Sequence, residues 1–200
     1  MNLKITRTIK TVNPLKTKSM KTTIKVLSLA AVALFATSCD DDDPVAENEE
    51  EVITTVRWTL TNDADSSDIV VLSSVDADGD GPGAPVVTVS KSFTADATYS
   101  GDIVFRNDLE DEDITAEVRD ESDEHEVFYI TAISDISISK DDNDDDGNPL
   151  GLETTLETGD ATSGVITVTL RHEPTKPNNG TLSEAGGETD IQVSFSVSVQ

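Results

Sequence analysis

Hydrophobic and polar positions alternate along most of this chain beyond residue 51. At the start, Val52, Thr54, Val56, Trp58 and Leu60 fall on one side, and Ile53, Thr55, Arg57 and Thr59 on the other. At the end, Ile191, Val193, Phe195, Val197 and Val199 alternate with Gln192, Ser194, Ser196 and Ser198. A period of two is the signature of a half-buried strand. Similar runs predict strands over 68–75, 85–93, 98–106, 126–132, 135–140, 152–157 and 164–172, joined by segments rich in Gly, Asp, Asn and Pro. Many short strands at even spacing point to an all-β fold: an antiparallel β-sandwich, Ig-like or barrel-like, with about eight or nine strands. The stretch 111–122, DEDITAEVRDES, breaks the pattern. Its early acids suit a helix N-terminus, and Ile114 and Val118 are four apart, so one short helix is expected there. Residues 173–188 have no periodicity and read as a long loop, and loops of that length are usually functional or disordered.

Ahead of the alternating region the pattern changes. Lys21 and Lys25 precede an apolar run from Val26 to Ala36, then Thr37, Ser38 and Cys39, then Asp40 to Asp43. A basic start, a short apolar run and small residues form an export signal. The run is shorter than the roughly 20 apolar residues a bilayer span takes. Residues 1–38 are therefore expected to be a signal peptide, with Met20 as a second candidate start. Cys39 is the single cysteine, which excludes an internal disulfide and suits lipidation at the new N-terminus. A free thiol beside an ordinary cleavage site is the alternative. Residues 39–51 are dense in acid and poor in packing residues, so they read as a lipidated acidic tether, with residues 52–200 as a single β domain.

Charge narrows the partners. All 40 Asp and Glu follow Cys39 and seven of the 14 Lys and Arg precede it, so the chain beyond Cys39 carries a formal charge of −33. Such a surface repels nucleic acid and attracts cations.

Two segments repeat D-x-D-x-D-G: Asp76, Asp78, Asp80 with Gly81, and Asp142, Asp144, Asp146 with Gly147. A tight turn lets alternate carboxylates converge on a hard cation, and glycine permits the bend. The second loop continues to Glu153 at position twelve, which completes a calcium-loop spacing. Pro149 at position eight and strand-like flanks depart from an EF-hand. Structural calcium is expected at Asp142, Asp144, Asp146 and Glu153, and at Asp76, Asp78 and Asp80, against the alternative of acidic hairpin turns that bind nothing. The two histidines offer another chemistry. His125 lies between acids, and alternation puts His172 with Ile166, Val168 and Leu170. A fold that gathers His125, His172, Glu126 and Glu173 would hold a transition metal or haem. Hydrogen-bonded histidines without a metal are the alternative.

No marked nucleophile, phosphate-cradling loop or dinucleotide fingerprint is present, so an enzyme is not expected, and an unrecognised hydrolase ranks last.

The stretches EDITAEVRDESDEHEVFY (112–129), GNPLGLETTLETG (147–159), VTLRHEPTKP (168–177) and GGETDIQVSFSV (186–197) resemble a family of small Bacteroidota-type lipoproteins of unestablished function. Some members carry the label "type 1 periplasmic binding fold", which requires repeated β-α units, whereas the pattern here is of strands. The resemblance implies an outer-membrane lipoprotein. In that group an acidic run after the lipidated cysteine accompanies display on the cell surface. The resemblance implies no known activity; from address and fold class the expectation is a binding or accessory role, beside an outer-membrane transporter or on a surface glycan, with metal or haem scavenging as the alternative.

Overall fold

The computed structural model describes residues 52–79 and 81–200. Among these residues, nine strands form two antiparallel sheets packed as a sandwich. In chain order they are β1 (Thr55–Asn62), β2 (Asp65–Val75), β3 (Val86–Val89), β4 (Thr98–Arg106), β5 (His125–Thr131), β6 (Ile136–Lys140), β7 (Glu153–Thr158), β8 (Thr162–His172) and β9 (Glu188–Val199). The larger sheet runs β3-β2-β1-β4-β7-β6, and the smaller runs β5-β8-β9. A seven-residue helix, α1 (Ile114–Asp120), links β4 to β5, and a four-residue helix, α2 (Leu182–Ala185), precedes β9. No helix among the described residues is long and apolar enough to cross a membrane.

Alternation translates directly into burial. Along β4, Tyr99, Gly101, Ile103 and Phe105 face inward while Ser100, Asp102 and Val104 face out. Val56, Trp58 and Leu60 of β1 meet Ile166 and Val168 of β8 and Phe195 of β9 in one core shared by both sheets. Each large apolar side chain withdrawn from water contributes about 1.5–3 kcal/mol, so this layer is the main favourable term. The Trp58 indole is wholly buried, and its Nε1–H donates to Thr154 Oγ1 at 3.1 Å. Gly101 makes that bond possible. A Cβ at this position would stand 2.6 Å from Thr154 Oγ1 and 2.7 Å from Trp58 Nε1.

Several elements differ from the sequence expectation. The strand expected over 85–93 is reduced to Val86–Val89. Phe93 instead turns inward and forms an isolated parallel bridge with Val199. The first strand begins at Thr55, and Val52 is exposed. The helix covers 114–120 only, with Thr115 docked on β4: its hydroxyl accepts from Phe105 N at 2.8 Å and donates to Phe105 O at 2.9 Å. The segment 173–188 includes α2 and the first residue of β9.

Candidate functional site

The β5–β8 ladder sets His125 directly opposite His172. Both lie on the side of the smaller sheet that faces the core, at its end. Their rings stack with centroids 4.6 Å apart and planes tilted by 33°. Both are buried, at 0% and 6% exposure. The chain that follows α1 positions His125: its Nδ1 lies 3.1 Å from the Glu121 carbonyl. A carbonyl can only accept, so Nδ1 carries the proton and the lone pair of the neutral ring sits on Nε2. Gly187 secures the other side. With φ at +70°, it lets the chain pass so close to His172 that a Cβ there would fall 2.3 Å from the His172 carbonyl oxygen.

A third ligand comes from β9. The β8–β9 ladder pairs Leu170 with Ile191 and Arg171 with Thr189, so Asp190 is an extra residue in a β-bulge. Bulges redirect the side chain that they insert. One ligand atom each from His125, His172 and Asp190 lie within 4.8 Å of one another. Beside them, Glu124, His172 and Glu173 form a second such group, nearer the surface, with Glu124 Oε2 3.7 Å from His172 Nε2. Glu173 is held at a positive φ of 48°, and its N–H donates to the Glu124 carbonyl. These are groups that could hold a metal ion.

Glu126 does not join them. Adjacent residues of a strand point to opposite faces. Glu126 therefore leaves the histidines and binds Lys140 Nζ through Oε1 and Asn178 Nδ2 through Oε2. Lys140 also lies over the Phe128 ring, 4.4 Å from its centroid. Burial lowers the Lys140 pKa, against the opposing pull of Glu126. The expected set of two histidines with Glu126 and Glu173 is thus replaced by two histidines with Asp190, plus a rim of Glu124 and Glu173.

The acidic loops take a different form. Asp142 Oδ1 accepts from Gly151 N at 2.7 Å and Oδ2 from Leu152 N at 3.0 Å. Asp144 is buried, accepts from the amides of Asp146 and Asn148, and pairs with Lys176 Nζ at 3.2 Å. Burial by itself raises the Asp144 pKa, but hydrogen bonds from Asn148 and the Lys176 ammonium outweigh it and hold the carboxyl below its ordinary value. Asp146 and Glu153 are exposed. Among the described residues, these four carboxylates form no group with three ligand atoms within 4.8 Å, because two of them are occupied by backbone amides and a lysine. In the first loop, Asp76 Oδ1 accepts from Asp78 N, and Asp78 Oδ2 accepts from Gly83 N at 3.0 Å, as in an Asx turn. Asp80 lies outside the described residues, as do Cys39, the signal segment and the tether.

Tethering acids also brace the other end of the sandwich. Asp68 accepts from Lys91 Nζ, Tyr99 Oη, Asn62 Nδ2 and Thr94 Oγ1. Its pKa is pushed far down, by the Lys91 contact first, against partial burial, with Tyr99, Asn62 and Thr94 adding to the effect.

No family model, curated protein or solved structure matches this chain.

Proposed function

We propose that this chain is a lipid-anchored outer-membrane protein, displayed at the cell surface through Cys39, whose sandwich holds a divalent transition ion of the zinc class and serves as a binding or accessory module. The observation that carries the metal reading is the cross-strand pair His125–His172 with the bulged carboxylate of Asp190 beside it. Two imidazoles and a carboxylate suit zinc and its first-row neighbours. The Glu121 carbonyl fixes the His125 tautomer, as outer-shell partners of metal-bound histidines do. Nitrogen donors favour such an ion over calcium, and two of the four carboxylates that would serve calcium at 142–153, Asp142 and Asp144, already hold amides and Lys176. Two stacked rings at 4.6 Å leave no gap for a haem between them.

The test is metal uptake by the chain from Cys39 onward, carrying Cys39→Ser, after chelator treatment. Zinc, copper and nickel are added singly, and bound metal is counted by elemental analysis. About one equivalent is expected for the unaltered site, and near none for His172→Ala. Uptake below a tenth of an equivalent for all three ions, in folded protein, would sink the metal reading.

A further inference from the structure

On the outer side of β5 from the histidines lies a cleft of about 180 Å³. Glu126, Lys140, Asn148, Lys176 and Asn178 supply its polar wall, and Pro149 and Pro177 its apolar one. The polar groups come from two strands and two loops that are far apart in sequence. Two of the seven cations beyond Cys39 are gathered here. Each faces a carboxylate, Lys140 with Glu126 and Lys176 with Asp144, and the four side chains are only 1–16% exposed. Buried ion pairs seldom repay their desolvation in stability. Two of them at one concavity are therefore an expensive arrangement for a purely structural role, and concave sites with convergent polar groups are where ligands bind.

The unused hydrogen-bonding capacity defines the ligand. An ammonium has three donors. Lys176 directs its own to Ser122 O and Asp144 Oδ2, and Lys140 to Glu126 Oε1. Each oxygen of Glu126 has one donor, from Lys140 and from Asn178, and can accept a second. A visiting group can thus take an N–H from an ammonium and give a proton to a carboxylate within the same cleft. A hydroxyl does both. An anion would add an unmatched negative charge to a cluster in which Glu126 and Asp144 already balance the two lysines, and would enter against the field of a chain carrying −33 beyond Cys39. The prolines offer flat apolar surface to the C–H face of a ring. The volume lies below the roughly 300–1,000 Å³ of drug-sized pockets, which suits one ring and not a threaded chain.

We propose that this cleft binds the terminal ring of a neutral saccharide, its hydroxyls bridging the ammonium groups and Glu126. The site stands apart from the histidines and does not depend on the metal reading.

The test is an amide-shift titration of the chain from Cys39 with Cys39→Ser, kept in chelator so that a failed metal site has no bearing on it. The probes are the methyl glycosides of glucose, galactose, mannose and N-acetylglucosamine, with acetate and inorganic phosphate as anionic controls. Saturating shifts at 126, 140, 148, 176 and 178–180 are expected with at least one glycoside. Glu126→Gln, which keeps the side chain's shape but removes the charge that accepts from the hydroxyl, should weaken that binding roughly tenfold, the scale of one lost hydrogen bond to a charged group. Should that variant lose its dispersed spectrum, Gly180→Asn replaces it, since asparagine tolerates the φ of +80° and would crowd the mouth. The proposal is overturned if no glycoside moves these amides, if only the anions do, or if the folded variant binds as tightly as the parent.

Discussion

The loop at 142–153 and the end of the β5–β8 ladder use their polar side chains in opposite ways. The loop has the spacing of a cation site within twelve consecutive residues, yet Asp142 and Asp144 turn to cap amides and neutralise Lys176, while Asp146 and Glu153 stay exposed. The ladder end has no local motif at all. Its ligands come from positions 125, 172 and 190, and strand register alone brings them within reach of one ion. A motif in sequence states which groups are near along the chain. Whether their lone pairs remain available is decided by the folded backbone, which competes for every carboxylate close to an orphan N–H.

That contrast can be broken, and the largest effect should come from the loop. Asp144→Ala leaves the Lys176 ammonium buried without its carboxylate, and removing one partner of a buried pair costs about 3–5 kcal/mol. Urea denaturation should show this loss equally in calcium and in chelator. A loss confined to calcium-containing buffer would restore the cation-loop view. Next comes Asp190→Asn, which keeps the bulge but replaces a carboxylate ligand. Zinc affinity measured by calorimetry should fall roughly a hundredfold. An unaltered affinity would remove Asp190 from the site and leave a bare histidine pair.

Asp68 extends the comparison to a third carboxylate engaged inside the protein. Asp68→Asn should cost about 1–3 kcal/mol, since charged hydrogen bonds to Lys91 and its neighbours are weakened. Asp68 and Asp144 both have folded pKa values below the ordinary carboxylate value. Their stabilisation is therefore present above about pH 4 and is lost as pH falls towards the folded values. Stability followed by urea from pH 6 down to pH 2 should decline more gently in the Asp68→Asn variant than in the parent. The smallest effect concerns calcium itself. Millimolar calcium and magnesium should shift the thermal midpoint alike, to within about a degree, as bulk screening of an acidic surface does. A rise specific to calcium would mean that Asp146 and Glu153 move to join Asp142.

Much of the sandwich was legible because alternation reports directly on burial. β4 and β9 follow the expected faces residue by residue, and His172 falls on the buried side with Ile166, Val168 and Leu170. The same rule hid Asp190. Strict alternation puts it with Gln192 and Ser194, and only the bulge opposite Leu170 and Arg171 breaks that parity. No feature of the local sequence announces such a bulge, though the paired glycines at 186–187 mark where the strand begins irregularly. Glu126 is next to His125 in sequence but leaves the histidine group, because neighbouring residues of a strand point to opposite faces. The exposed edge at Val86–Val89 is shorter than its apolar pattern suggests, since Phe93 satisfies that pattern by bridging to the other sheet.

The strand order carries one more consequence, for how the molecule resists a pull. β1, the first strand after the proposed tether, lies between β2 and β4 and is laddered to both along its length. β9, late in the chain, is an edge strand whose full-length ladder is with β8, and on its other side only its last residues bond to Phe93 and Ala95. Force entering ahead of Val52 must break two rows of hydrogen bonds to free a strand, whereas force on Gln200, once the three bonds to Phe93 and Ala95 give way, peels one row a bond at a time. A single-molecule pull should therefore find the higher rupture force when the load path begins at the N-terminal side. For a protein held at a surface by that side and exposed to drag, the strand that bears the load is the one most firmly stitched into the fold.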